Sequence, residues 1–435
     1  MGRTARKRKR RLKYRECDDF SLESLQNTIL LKKSMQSLGW KNDSKLILKN
    51  FVSTGRGVSS LLNIKSNQKL IEIPYNLLIT CANAFELDLI QNLCKASNKF
   101  KAQEILAVFL ILEKHKNKNS KWKFYLDTLP EELPTLPWLC TEAEFSTYPS
   151  YLMAIVSKKK WDLEIGWERV EKSINSSWIC PCCEQPLNRV VTLNAFTWGY
   201  VVVNTRAVYV DPGVAIKLFG RDLSNFLSDA PCLALCPFLD MFNHSAEANT
   251  RAELICVGDS WKYTLTTLTS YKKYRQIFIS YGSHDNDKLF CEYGFFLIHN
   301  HLNNIRCSLE EVLSVSNISL NKKQRAFIEN RCLPSDVYVS TTGLSFYLKA
   351  LFYVLIKPDV EWGRVIYSED YSSCDIMFMC LTIKKILSFK KAKFIEDLKK
   401  LKYVAVSKYA LGVVDYMKNK IDLLDIILEV LDSYS

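Results

Sequence analysis

No apolar run of about 18 residues, the length that spans a bilayer, occurs in the 435-residue chain. Nor does an apolar stretch of the kind a secretory signal carries follow its cationic start. Membrane insertion and secretion both lack a vehicle, and the expectation is an intracellular protein. The 15 cysteines fit that setting, because an odd count leaves no complete intramolecular disulfide framework. Several lie in apolar runs such as Phe290-Cys291 and Met379-Cys380, where a reduced thiol behaves as a small hydrophobe. One cluster stands apart, Cys180-Pro181-Cys182-Cys183. Cys180 and Cys183 have the spacing of half a zinc site, but no second pair and no histidine lies near them in sequence, and Cys232 and Cys236 are the only distant candidates. The reading for this cluster is a surface loop without a metal.

Acid is also missing from residues 1–15, which hold nine of the net thirteen positive charges and leave +4 for the rest. The run Arg6-Lys7-Arg8-Lys9-Arg10-Arg11 has the composition of a nuclear address or a phosphate-binding arm, since packed cations repel one another and rarely persist as a mere solvated face. The expectations are residence in nucleus and cytoplasm, and an import receptor or nucleic acid as a partner of the tail. Beyond it, 48% hydrophobic and 24% charged residues give a chain able to bury a core, long enough for two or three domains.

Along that core the hydrophobic period changes twice. Residues 40–82 read as short strands, with Leu46-Ile47-Leu48 and Leu70-Ile71-Glu72-Ile73 separated by Gly55 and Gly57. The run from Glu104 to Lys114 reads as a largely buried helix. From 190 to 300 β-branched and aromatic residues return, and Val201-Val202-Val203, Ala207–Val210, Tyr263–Thr266 and Ile277–Ile279 read as strands. After about 305 helical spacing takes over, through Leu348, Leu351, Phe352 and Leu355, and later Ile421, Leu424 and Ile427.

Three stretches carry chemistry-bearing residues: Thr54-Gly55-Arg56-Gly57-Val58, then Pro237-Phe238-Leu239-Asp240-Met241-Phe242-Asn243-His244-Ser245, then Ile279-Ser280-Tyr281-Gly282 running on to Glu292-Tyr293-Gly294-Phe295-Phe296. Singly, each has a bland meaning. Gly-x-Gly marks a turn, a lone histidine is usually a satisfied structural group, isolated aromatics are core, and Arg206 with Asp240 suits a buried ion pair.

In this order, however, the stretches resemble the SET-domain methyltransferases, and within them the branch typified by the Rubisco large-subunit methyltransferase. The likeness covers roughly residues 40–300 well and the remainder weakly. It implies an α+β fold: a SET-domain β-fold over 40–300 with a helical insertion at about 84–190 and a pseudoknot, then a mainly α-helical C-terminal domain of substrate-binding type over 305–435, while the charge run marks a basic disordered tail over 1–20. It implies S-adenosyl-L-methionine as cofactor, with backbone groups of Gly55, Arg56 and Gly57 at its methionine moiety, and Asn243 and His244 at its adenine.

The same resemblance makes Tyr281 the catalytic residue and a cofactor contact. Methyl transfer from a sulfonium is an in-line displacement that asks mainly for positioning, and a phenol beside main-chain carbonyls would orient the amine. His244 is then no general base. Arg206, Asp240, Tyr293 and Phe295 fall on the substrate side, the two aromatics as an apolar sleeve for a lysine stem. Histidine-directed relatives lack the tyrosine of the Tyr-Gly-Phe segment, so Tyr293 points to lysine as acceptor. The implied activity is protein-lysine N-methyl transfer by a monomer, with a histone tail as substrate or, alternatively, a non-histone protein. Two other classes compete: a catalytically weak SET-fold scaffold, and a nucleic-acid-binding protein working through residues 3–15.

Overall fold

The computed structural model describes residues 19–95, 99–211, 213–214, 223–258, 260–330, 333, 336–357 and 362–433. The basic stretch 1–15, and with it the import and nucleic-acid readings, lies outside the described residues. By contacts the chain divides into two compact units, 1–133 with 161–282 and 134–160 with 283–435. Residues 283–300, grouped with the preceding strands by sequence, therefore pack with the second unit.

The first unit holds eleven of the described strands: β1 (Phe20–Ser21), β2 (Leu46–Phe51), β3 (Gly55–Ser60), β4 (Gln68–Pro74), β5 (Ile79–Thr80), β6 (Ala207–Tyr209), β7 (Leu233–Leu235), β8 (Asn243–His244), β9 (Thr250–Val257), β10 (Ser260–Thr267) and β11 (Gln276–Ile279). They form a five-stranded sheet in the order β1-β2-β3-β11-β8 and two three-stranded sheets, β4-β10-β9 and β5-β7-β6. Leu46, Leu48, Leu70, Ile71, Ile73, Tyr263 and Leu265 are buried, as the sequence pattern of β2, β4 and β10 requires.

The Ala102–Lys116 helix is buried along its whole middle, Glu104 to Glu113. The buried Glu104 carboxylate accepts from Arg169 Nη1 on both oxygens, at 2.7 and 2.6 Å, and from the Lys101 backbone N–H at 2.9 Å. Against this helix lies Leu193–Arg206, and here the structure corrects the sequence reading: Val201-Val202-Val203 are helical. Thr192 starts the helix by accepting from the Ala195 N–H at 3.3 Å. Phe196, Tyr200 and Val203, at helical spacing, are buried. A Cβ on Gly199 would sit 2.7 Å from the Ala107 carbonyl oxygen, so the two backbones meet at a residue without a side chain. Close packing of the two helices overrides the weak strand preference of three valines.

The second unit is mainly helical, with the Phe346–Ile356, Ser373–Val404 and Lys408–Asp432 helices. It also carries a small antiparallel sheet that the helical spacing after 305 did not announce, β12 (Asn304–Ser308), β13 (Asp336–Ser340) and β14 (Gly343–Leu344). Among the described residues no helix is long and apolar enough to cross a membrane. The architecture as a whole is α+β, ending in a mainly helical region.

One carboxylate organises the start of the last helix. Buried Glu144 accepts from the Ser407 N–H at 2.8 Å, the Val406 N–H at 3.2 Å and the Ser407 hydroxyl at 2.9 Å, while closing a capping box with Thr141 on its own short helix. Burial works against the ionised form, but the bonds from Ser407, Thr141 and Val406 outweigh it and hold the carboxyl down at about 2. Because the folded value lies below the ordinary 4.5, this stabilisation is present above that pH and is lost as pH falls through the folded value. Glu144→Gln should therefore destabilise the protein by about 1–3 kcal/mol at neutral pH. Denaturant midpoints measured across acid pH should show that gap shrinking below pH 4.5 and closing near pH 2.

Candidate active site

The parallel pairing of β8 with β11 sets Asn243 opposite Phe278 and His244 opposite Ile279, and on its other side β11 pairs antiparallel with β3, Gln276 opposite Ser59. Residues 54–57, 243–244 and 276–281 thus meet. The Asn243 side-chain amide donates to the Arg56 carbonyl at 3.0 Å and the Thr54 carbonyl at 3.4 Å, and the Thr54 hydroxyl donates to Gln276 Oε1 at 2.9 Å.

Tyr281 lies two residues past the end of β11 and is held at both ends. Its backbone N–H donates to His244 Nδ1 at 3.1 Å, and its phenol donates to the Phe242 carbonyl at 2.6 Å. The two rings lie nearly parallel, 29° apart, with centroids at 5.2 Å. An imidazole that accepts at Nδ1 is the neutral tautomer protonated at Nε2.

The two glycines differ in why they are there. Gly55 has φ +68°, with nothing within 4 Å of where a Cβ would point, so conformation demands glycine and the backbone faces open space. Gly57 has ordinary dihedrals, but a Cβ there would lie 2.6 Å from Gln276 Nε2 and 2.9 Å from Asn243 Nδ2, so space demands it.

Between them, Arg56 donates to the Thr128 carbonyl at 2.6 Å. It belongs to a half-buried charge cluster around the buried carboxylate of Asp240. Arg206, last residue of its helix, donates through Nη1 to Asp240 Oδ2 at 2.9 Å and to the Asp240 carbonyl at 3.2 Å, and the Tyr125 phenol donates to the same Oδ2 at 3.1 Å. The ion pair foreseen as the alternative for Arg206 and Asp240 is therefore present. Burial pulls the Arg206 guanidinium down, yet Asp240 beside it raises it above the ordinary value; Arg56 is lowered, by burial and then by Arg206. Burial, reinforced by Asp240, lifts the Tyr125 phenol well above the usual range. Asp240 Oδ1, Arg206 Nε and Gln276 Nε2 are buried without a hydrogen-bond partner. Sequence reasoning missed Tyr125 and Gln276 here; the only signal was the aromatic stretch Trp122–Tyr125, whose chemistry depends on a partner more than a hundred residues away.

The other two candidate residues, Tyr293 and Phe295, belong to the second unit. Their centroids are 6.1 Å apart at 47°, and His284 stacks on Tyr293 at 6.3 Å. Burial, with Glu292 adjacent, pushes the Tyr293 phenol up to about 12.

A strand of two residues thus pairs in parallel with the strand that leads to Tyr281, and the glycine-bearing β3 pairs with that strand's other edge. The sequence profile of the SET domain matches residues 55–282, more than half of the chain, and the chain belongs to the SET-domain family. Among individual proteins it is similar to SET domain-containing protein 4 of Mus musculus, 31% identical over 69% of this chain and 65% of that protein. The chain thus spans less than two thirds of that relative. It is also similar to the ribosomal lysine N-methyltransferase set11 of Schizosaccharomyces pombe, 27% identical over 71% of this chain and 69% of the other. Of solved structures, the SET domain of LSMT bound to lysine and AdoHcy superposes with a TM-score of 0.59 over 94% of this chain and 92% of that one; at 19% identity this likeness is one of fold.

Gly57→Ala should cost about 1–3 kcal/mol by driving Asn243 and Gln276 apart, and Gly55→Ala about 1 kcal/mol by forcing an L-residue to positive φ. Denaturant midpoints separate the two causes: Asn, which tolerates positive φ, recovers stability at 55 and loses more at 57.

Proposed function

We propose that this protein is an S-adenosyl-L-methionine-dependent protein-lysine N-methyltransferase whose catalytic residue is Tyr281. The observation that carries the reading is the two-ended fixation of Tyr281, by His244 at its backbone and by the Phe242 carbonyl at its phenol. A phenol held so firmly is suited to positioning, and positioning is what this displacement requires.

The residues fit the cofactor. Two half-buried guanidinium groups, Arg56 and Arg206, lie in the field of the one carboxylate of Asp240, and the surplus cation calls for an anionic group such as the carboxylate of a methionine moiety. The Gly55 backbone faces open space, and buried polar atoms of Asp240, Arg206 and Gln276 lack partners. Gly55, Arg56, Gly57, Asn243 and His244 would hold the cofactor, which supplies a methyl on a sulfonium. The chain's own part is to orient and to exclude. The Phe242 carbonyl and the Tyr281 phenol direct an incoming amine, and surrounding positive charge disfavours its protonated form, so that it arrives with a free electron pair. His244, donor at Nε2 and acceptor at Nδ1, moves no proton in this scheme.

Arg206 and Asp240, paired with each other, act on the acceptor side by fixing the wall that Tyr125 completes. Tyr293 and Phe295, in contact with each other, make an apolar pair of the kind a lysine stem needs, and a tyrosine at 293 favours lysine over histidine. For the acceptor we take a non-histone protein. The yeast relative is named for a ribosomal lysine, and nothing comparable supports a histone tail. Residence in nucleus and cytoplasm, by way of the basic N-terminal run, is part of the same proposal.

Incubation with methyl-labelled S-adenosyl-L-methionine and separate ribosomal, histone and cytosolic fractions tests it. Transfer to lysine should fall about 100-fold or more in Tyr281→Phe, with cofactor binding by calorimetry retained. Wild-type protein that binds cofactor yet methylates none of the fractions would favour the scaffold reading, and an unimpaired Tyr281→Phe would remove the assigned role.

A further inference from the structure

His115 lies in the last turn of the Ala102–Lys116 helix, and Cys180, Cys182 and Cys183 on the turn that follows the Ser150–Ser173 helix. The sequence spacing offered no histidine to complete the half-site at Cys180 and Cys183, and pointed to Cys232 and Cys236 as distant helpers. The fold brings neither of those. Instead it brings His115, 68 positions before Cys183, and the Nε2 of His115 stands 3.0 Å from Cys183 Sγ while Cys180 Sγ and Cys182 Sγ are 3.1 Å apart. All four ligand atoms lie within 4.8 Å of one another.

We propose that His115, Cys180, Cys182 and Cys183 form a structural zinc site. Three thiolates and one imidazole are a common closed donor set for Zn²⁺, and Zn–S bonds of about 2.3 Å with a Zn–N bond of about 2.0 Å imply ligand-to-ligand edges of about 3.4–3.8 Å. The cluster brackets those edges, so metal binding asks that its two shortest contacts open by about half an ångström and that its widest separations, at most 4.8 Å, close by up to about 1 Å. The thiols are placed by backbone rather than by chance rotamers. The Cys180 N–H donates to the Gln185 carbonyl at 2.8 Å, the Glu184 N–H donates to the Cys180 carbonyl at 2.9 Å, and Ile179 bridges Pro186. Pro181 stiffens the turn, and Glu184, next after the last thiol, is held at φ +57°, a conformation an ordinary residue keeps only where its surroundings impose it.

Cys180 is buried, His115 and Cys183 half-buried and Cys182 exposed, which leaves an approach from solvent. A cavity of about 240 Å³ lined by Glu86, Asp88, Leu112, Lys116, Cys180 and Cys182 borders two of the thiols. Binding releases the thiol protons to solvent and replaces three crowded sulfurs around an imidazole with one bonded centre. Its structural effect is to fasten the end of a buried helix to a distant turn. The site stands independently of the methyltransferase reading, since it uses none of the residues assigned there.

Elemental analysis of the full chain, purified under reducing conditions, should find about one zinc per chain. The double variant Cys183→Ser with His115→Ala should retain less than about a tenth of that. His115→Cys, which restores four ligands, should keep the metal, as should Cys232→Ser. A strong chelator should lower the melting temperature of the wild type by about 5 °C and added zinc should restore it, while the double variant responds to neither. Wild-type protein that remains metal-free after refolding with zinc, melts identically with chelator, or yields a Cys180–Cys182 disulfide in place of metal would overturn the proposal. Zinc retained by the double variant would do so equally.

Discussion

The two hydrogen bonds that fix Tyr281 depend on a strand pair of only two residues, and a pair so short has almost no stability of its own. β8 survives because its side chains take over the work of a longer ladder. The Asn243 amide ties it to the carbonyls of Thr54 and Arg56, and His244 Nδ1 takes the Tyr281 N–H, so each residue of the strand is bonded across a different neighbour. Segments nearly two hundred positions apart are thereby held in one register. The phenol then finds the Phe242 carbonyl because that residue immediately precedes the strand. Phe238, fully buried with φ +69°, shows that the approach to β8 is itself under conformational constraint.

Behind that pair sits a charge cluster whose members do not respond alike to burial. Arg206 makes a direct bond to the buried carboxylate and is raised above its ordinary value despite desolvation, whereas Arg56, whose bond goes to a neutral carbonyl, is lowered. Removing one partner from a buried pair leaves an uncompensated charge, so the cluster resists piecemeal change. Its geometry goes back to the packing of two helices, since Arg206 is delivered to Asp240 by a helix that lies close on Ala102–Lys116 only because position 199 has no side chain.

Much of this was legible beforehand, for identifiable reasons. β2, β4, β10 and β11 are short runs with one buried face, and the Glu104–Lys114 helix is apolar with charged ends, so local pattern and tertiary environment agree. Val201–Val203 were misread because local preference and packing disagree there, and packing is the larger effect. The small sheet at 304–344 escaped because its strands interrupt a stretch dominated by helical spacing. Gly55, Gly57, Asn243, His244 and Tyr281, on segments that the fold brings together, were singled out through their order along the chain. Tyr125, Gln276 and His115 were not, since their partners are set by tertiary contact: nothing near His115 in sequence marks it as the neighbour of a thiol 68 positions on.

The second unit holds its own tyrosine with comparable firmness. The Asn286–Tyr293 helix starts from Asp285, which accepts from the Lys288 N–H, and ends at Gly294 with φ +79°, where a Cβ would lie 3.0 Å from the Thr135 backbone. On its inner face Asp287 accepts from the Tyr416 phenol and pairs with Lys420 at 3.0 Å, while Phe290 stacks on Tyr416 at 4.6 Å. A helix pinned by an ion pair, a ring stack and a glycine that only glycine can fill leaves its last residue little freedom. With its phenol pushed up to about 12 by burial and Glu292, Tyr293 stays protonated throughout the physiological range. A phenol that stays protonated is closed to base chemistry. Tyr281 is committed as a donor, to the Phe242 carbonyl. Neither phenol is thus available as a strong base, and the proposed reaction needs none, since its demand is an aligned amine.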